Sequence, residues 1–199
     1  MSLKKVFALA LHIGVHLAAL LPLVWLFWAV PAGELGGDPV EELIHFLGLG
    51  ALRLLLLSLL IAPLVKYLQI AALFKLRRPL GLWAYTWASL HFFAWLALDL
   101  VFEWGLIAEE IIKRSYILLG FSLWLILSAL ALTSLPRLMR AMKGKWQTLH
   151  WWIYPAAIMG CIHFWWSLKS GWFEPAVYLL ITLVLIALRK KKLLGATAR

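Results

Sequence analysis

Of 199 residues, 64% are hydrophobic and only 14% are charged, and the mean hydropathy is +0.91, which excludes an ordinary soluble domain and describes an integral membrane protein. The formal net charge of +10 requires no nucleic-acid partner, because insertion topology and attraction to anionic membrane lipid already account for it. A single cysteine, Cys161, excludes an internal disulfide and reads as a small buried residue.

Six apolar stretches follow one another: Val6 to Val30, Val40 to Val65, Pro79 to Leu100, Tyr116 to Leu135, Leu149 to Leu168 and Trp172 to Leu188. At about 1.5 Å per residue, most reach the roughly 20 residues that cross a hydrocarbon core about 30 Å thick. The sequence therefore predicts an all-α fold, a bundle of six transmembrane helices forming one domain over residues 1–199. Lys4 and Lys5 precede the first stretch as in a signal peptide, yet a run of about 25 apolar residues exceeds a cleavable core of about 7–15, so a retained first helix is expected. The loop from Pro31 is rich in turn formers and ends in Asp38-Pro39, a cap and first-turn pair for the second helix. Asp99 to Lys113 mixes apolar and acidic positions and is expected to lie along the interface. The last stretch is short, with Pro175 near its start.

Charge orients these spans. Lys4 and Lys5, then Lys66, Lys75, Arg77 and Arg78, then Arg137, Arg140, Lys143 and Lys145, then Arg189 through Lys192 all fall on one side of the alternating helices. The nine acids (Glu34, Asp38, Glu41, Glu42, Asp99, Glu103, Glu109, Glu110, Glu174) fall in the other loops. The positive-inside rule then makes both termini cytoplasmic. Several of the thirteen tryptophans lie near span ends, as aromatic belts do. No connection is long enough for a soluble domain, so any chemistry lies inside the bundle or on a partner.

His45, His91, His150 and His163 sit within these apolar segments. A titratable side chain at membrane depth is costly and faces the bundle interior, and neutral imidazole is a common ligand for metals, haem iron included. Without a C-x-x-C-H motif, a haem would be held by ligation alone. From Leu80 and Leu149, His91 lies about 16 Å deep and His163 about 21 Å, near enough to share one iron from facing helices. His150 is much shallower than His91, and His45 is the reserve ligand. Thirteen residues separate His150 from His163, about 20 Å of rise but some 140° of rotation, and Pro155 between them can kink the helix. The plainer reading of each histidine is an interhelical hydrogen bond. His12 and His16, four apart on one face, are read as packing or interfacial groups. Arg53 is the one basic residue well inside a span, either a propionate anchor or a snorkelling side chain. Two rival functions stay open: a proton-coupled transporter, although no acid lies at depth and no inverted repeat is evident, and a haem-free assembly subunit.

The segments Leu21–Val30, Gly37–Gly48, Arg77–His91, Trp146–His163 and Ala187–Lys192 resemble, in order and across essentially the whole chain, the MsrQ family, formerly YedZ. That family comprises the haem-binding membrane subunits of the bacterial periplasmic methionine sulfoxide reductase system, and it belongs with the ferric-reductase-like transmembrane domains, six-helix bundles carrying b-type haem. The resemblance implies haem-associated roles for His91, His150 and His163, with His91 and His163 on one haem near the outer side and His150 at an inner site; His16 and His45 also match family positions. Where the superfamily places an inner histidine partner thirteen or fourteen residues before His91, this chain has Arg78 and Arg77. The number of haems, one or two, stays open, with Arg77 an anchor for a propionate or an unusual ligand. The implied work is electron transfer from quinol or a cytosolic flavin reductase to the periplasmic molybdopterin subunit MsrP, which reduces methionine sulfoxide, so this chain is not an enzyme on its own. Flavin mononucleotide (FMN) is also associated with the family, though no recognisable flavin motif is present. The implied location is the bacterial inner membrane.

Overall fold

The computed structural model describes residues 3–189 apart from the side chain of Lys4. Lys190 to Lys192, with the end of the segment that begins at Ala187, lie outside the described residues. Among the described residues all regular structure is helical. Helix α1 (Leu3–Ala29) leads through the Pro31 to Pro39 loop into α2 (Pro39–Leu68). Asp38 caps α2, its Oδ1 accepting the Glu41 amide at 3.0 Å, and Pro39 fills the first helical position, where a missing N–H costs nothing. Gln69 ends α2 in the left-handed conformation (φ 57°), its amide donating to the Val65 carbonyl.

A 3-10 segment (Ala71–Leu76) runs directly into α3 (Arg77–Ala94), which widens after His91 into a π-helical turn (Trp95–Asp99). Val101 and Phe102 follow at φ 47° and 56°, a costly backbone for bulky residues. There the chain turns by 119° into α4 (Trp104–Lys113), so the Asp99 to Lys113 stretch bends away from the preceding helix. Next come α5 (Ser115–Thr133), the short α6 (Pro136–Met142) and α7 (Gly144–His150), then α8 (Ile153–Ser167) and α9 (Phe173–Ala187).

Among the described residues α1, α2 and α5 are long and apolar enough to cross a bilayer, with a fourth span if the bent pair of α3 and α4 counts as one. Helices α8 and α9 have 15 residues each, short of a full crossing by length alone. The Leu149 to Leu168 stretch is not a single kinked helix. Pro155 has no N–H to give the Trp151 carbonyl, Tyr154 takes that acceptor instead at 3.2 Å, and the helix breaks at Trp151–Trp152. His150 and His163 therefore belong to different helices.

Helix α2 is central, packed by α3, α8 and α9, with α5 closing against α3 and α8. Ala84, Ala156 and Ala157 are fully buried and let backbones approach closely, the usual device for joining helices in lipid. Around them lie Leu47, Leu55 and Leu59 of α2. Cys161 is fully buried, its Sγ 3.1 Å from the Thr182 hydroxyl. Helix α1 lies at the edge, tied by its Ala19 carbonyl, which accepts the Trp87 indole N–H at 3.0 Å.

Candidate functional site

His91 from α3 and His163 from α8 meet with ring centroids 6.1 Å apart and planes at 79°. Each ring is also tied to a backbone. Nδ1 of His91 lies 2.8 Å from the Ile44 carbonyl oxygen of α2, and Nδ1 of His163 lies 2.8 Å from the Tyr116 carbonyl oxygen of α5. A carbonyl can only accept, so the proton of each neutral imidazole sits on Nδ1 and the free lone pair on Nε2. This is the tautomer of a histidine ready to ligate through Nε2.

Both rings line a cavity of about 530 Å³, within the usual range for cofactor pockets. Its walls are apolar and aromatic (Leu52, Phe92, Trp124, Phe164) and include Gly48, Gly120 and Gly160. Asp38, Glu41, Asp99, Arg114 and Lys169 also line it. Arg114 holds Glu110 at 2.6 Å and the Tyr116 hydroxyl at 3.3 Å, while Lys169 holds Glu41 at 3.1 Å. The hydrogen bond from Arg114 to the Tyr116 hydroxyl, reinforced by Glu110, raises the pKa of a guanidinium that is charged in any case.

Two imidazoles alone are too few to hold a bare metal ion, and among the described residues no three His, Cys, Asp or Glu side chains gather to do so. In haem the macrocycle supplies the remaining four ligands. Two opposed metal–imidazole bonds of about 2.0 Å, plus about 1 Å from each nitrogen to its ring centre, set such rings about 6 Å apart. The observed 6.1 Å spacing, the tautomers and the apolar walls fit a bis-histidine haem.

The other expected residues lie as follows. His45 lines the same cavity, edge-on to Phe164 with centroids 5.5 Å apart. His150 does not line it: the ring stacks on Trp146 at 4.0 Å, and Nε2 is 3.2 Å from the Thr133 hydroxyl. That hydroxyl gives its own proton to the Ala129 carbonyl at 2.6 Å, so it accepts from His150. Arg53 also lies off the cavity, with Nε donating to the Tyr178 hydroxyl at 2.7 Å and Nη2 4.0 Å from Glu174. Arg77, at the start of α3, is likewise not among the lining residues and sits 5.5 Å from the Phe74 ring centre. His16 accepts the Trp83 indole N–H at 2.9 Å, a packing role. Sequence reasoning missed Arg114 and Lys169, because sorting cations by side of the membrane passes over the few that stand among the acids. It also missed the carbonyls of Ile44 and Tyr116, which no side chain announces.

The family described as ferric reductase like transmembrane component matches residues 47–161, a span that includes His91 and His150 and stops two residues before His163. Proteins from Salmonella paratyphi B, Salmonella newport and Salmonella heidelberg, each named protein-methionine-sulfoxide reductase heme-binding subunit MsrQ, are 43% identical over 183 residues, covering 92% of this chain and 92% of theirs. With its apolar helices, this kinship makes the chain a multi-pass protein of the bacterial inner membrane. The chain belongs to the MsrQ family, within the ferric-reductase-like transmembrane proteins.

Proposed function

We propose that this chain is the electron-transfer subunit of a protein-methionine-sulfoxide reductase, holding one b-type haem between His91 and His163. The observation that carries the reading is the pair of rings with centroids 6.1 Å apart and planes at 79°, each tied through Nδ1 to a carbonyl. A bound haem supplies a reversible one-electron centre. The two imidazoles hold and orient it, and their carbonyl partners strengthen each Nε2 as a donor. Leu52, Phe92 and Phe164 keep water from it, and Arg114 and Lys169 are the cations placed to meet its propionates. His150, stacked on Trp146, and Arg77 belong on this reading to an inner site for a second haem, while FMN rests on the family resemblance alone.

The chain is read as one domain of six spans with both termini cytoplasmic, supported by the segregation of its acids from its basic groups. Electrons enter from quinol or a cytosolic flavin reductase at the basic face and leave at the acidic face to MsrP, where sulfoxide is reduced. The relatives' name, heme-binding subunit of a methionine sulfoxide reductase, supports this assignment. The test is a reduced-minus-oxidised absorption spectrum of the full chain from haem-supplied cells, with His91→Ala and His163→Ala. The expected result is b-type bands in the parent and their loss in both variants. A parent without bands, or either variant unchanged, overturns the reading.

A further inference from the structure

The two histidine–carbonyl bonds repeat one local arrangement. Ile44 stands four residues before Gly48 on α2, and Tyr116 four residues before Gly120 on α5. In a helix the carbonyl of residue i already accepts the amide of residue i+4, and only its second lone pair is open to an outside donor. The β-carbon of residue i+4 leans toward the helix N-terminus and covers that turn. Glycine leaves it bare. A β-carbon built on Gly48 would stand 3.0 Å from both Cε1 and Nδ1 of His91. On Gly120 it would stand 2.6 Å from Cε1 and 2.8 Å from Nδ1 of His163, inside van der Waals contact with a rigid ring.

We propose that Gly48 and Gly120 are positioning residues for the haem ligands: lacking a β-carbon, they let His91 and His163 reach the Ile44 and Tyr116 carbonyls, which selects the Nδ1–H tautomer and aims both Nε2 atoms at a shared iron. The inference rests on the haem reading above. Alanine at either position pushes the ring off its carbonyl, so the imidazole loses both its enforced tautomer and its strengthened donor. The closer approach makes Gly120 the more sensitive of the two. By contrast, a β-carbon on Gly81 of α3 meets nothing within 4 Å.

The test compares ferric electron paramagnetic resonance spectra and midpoint potentials of the full-length parent, Gly48→Ala, Gly120→Ala and Gly81→Ala proteins. Gly120→Ala is expected to convert most of the low-spin signal to high-spin, Gly48→Ala to shift the potential upward, and Gly81→Ala to match the parent. A parent spectrum lacking low-spin haem, or one unaffected by His163→Ala, strikes the haem reading itself. A normal parent with an unchanged Gly120→Ala spectrum and potential overturns the glycine inference alone. A double-mutant cycle keeps the inference falsifiable if Gly120→Ala fails to accumulate. Membrane levels and thermal midpoint should fall on Gly120→Ala in the His163 background and not in the His163→Ala background. An equal fall in both backgrounds means that the alanine clashes elsewhere and overturns the inference.

Discussion

Tyr116 and His163 are joined through backbone rather than side chain: the Tyr116 carbonyl accepts the imidazole Nδ1–H at 2.8 Å, while the phenol ring lies 6.2 Å from the imidazole, centre to centre. Tyr116→Phe therefore keeps the ligand bond and loses only the hydroxyl contact to Arg114. Haem content should match the parent, and unfolding free energy should change by less than about 1 kcal/mol, since the lost contact is exposed. Loss of haem from Tyr116→Phe, measured by haem extraction and absorbance, would show that the phenol itself holds the cofactor.

The cavity-lining cations should matter for cofactor rather than fold. Arg114→Gln together with Lys169→Gln should weaken haem binding about tenfold, the scale of one charge-assisted hydrogen bond, in titrations of haem into depleted protein. The sign of any pH dependence follows from Arg114. Its pKa is raised above the ordinary arginine value, so its contribution is fully present below that value and is lost only as pH rises through the raised one. Its share of the affinity should be flat between about pH 5 and 9.

Gly50 lies on the same helix as Gly48 and faces a different ring. A β-carbon there would come within 2.1 Å of the Trp87 indole, which is 3% exposed and bonded to Ala19. Gly50→Ala should wedge α2 from α3 and cost about 1–3 kcal/mol, the usual penalty of overpacking. Thermal unfolding in detergent checks this, with Gly81→Ala expected to be neutral.

Cys161 is fully buried against Thr182. A small maleimide should leave it unmodified in the folded protein and label it fully after denaturation, read by intact mass. Prompt labelling in the native state would place it on an accessible face.

The six-span topology is tested in a Cys161→Ser chain. Gly37→Cys and Ser170→Cys should react with an impermeant maleimide added outside spheroplasts, whereas Lys75→Cys and Arg140→Cys should react only after permeabilisation. A partial exchange between these groups would change the number of crossings, and a complete one would reverse the orientation.

Several features were legible because their causes are local. Asp38 and Pro39 start α2 as their side chains require, and the depths of His91 and His163 along their own apolar runs can be counted from the sequence, though not their meeting. Other features were hidden because their causes are long-range. Nothing near Arg53 in sequence shows that Tyr178 and Glu174, on α9, take up its guanidinium. Pro155 marks a disturbance in its run, but counting residues does not distinguish a bend from a break, and the helix breaks at Trp151–Trp152.

Apolar length and the sorting of charge, both sums over neighbouring residues, made this a membrane protein with its histidines inside, whatever the details of packing. Which imidazoles would share a cavity, which carbonyls would orient them and which cations would line it were decided by how the helices pack. Those contacts join residues 47 apart in both histidine–carbonyl bonds, a separation at which only the folded bundle selects partners.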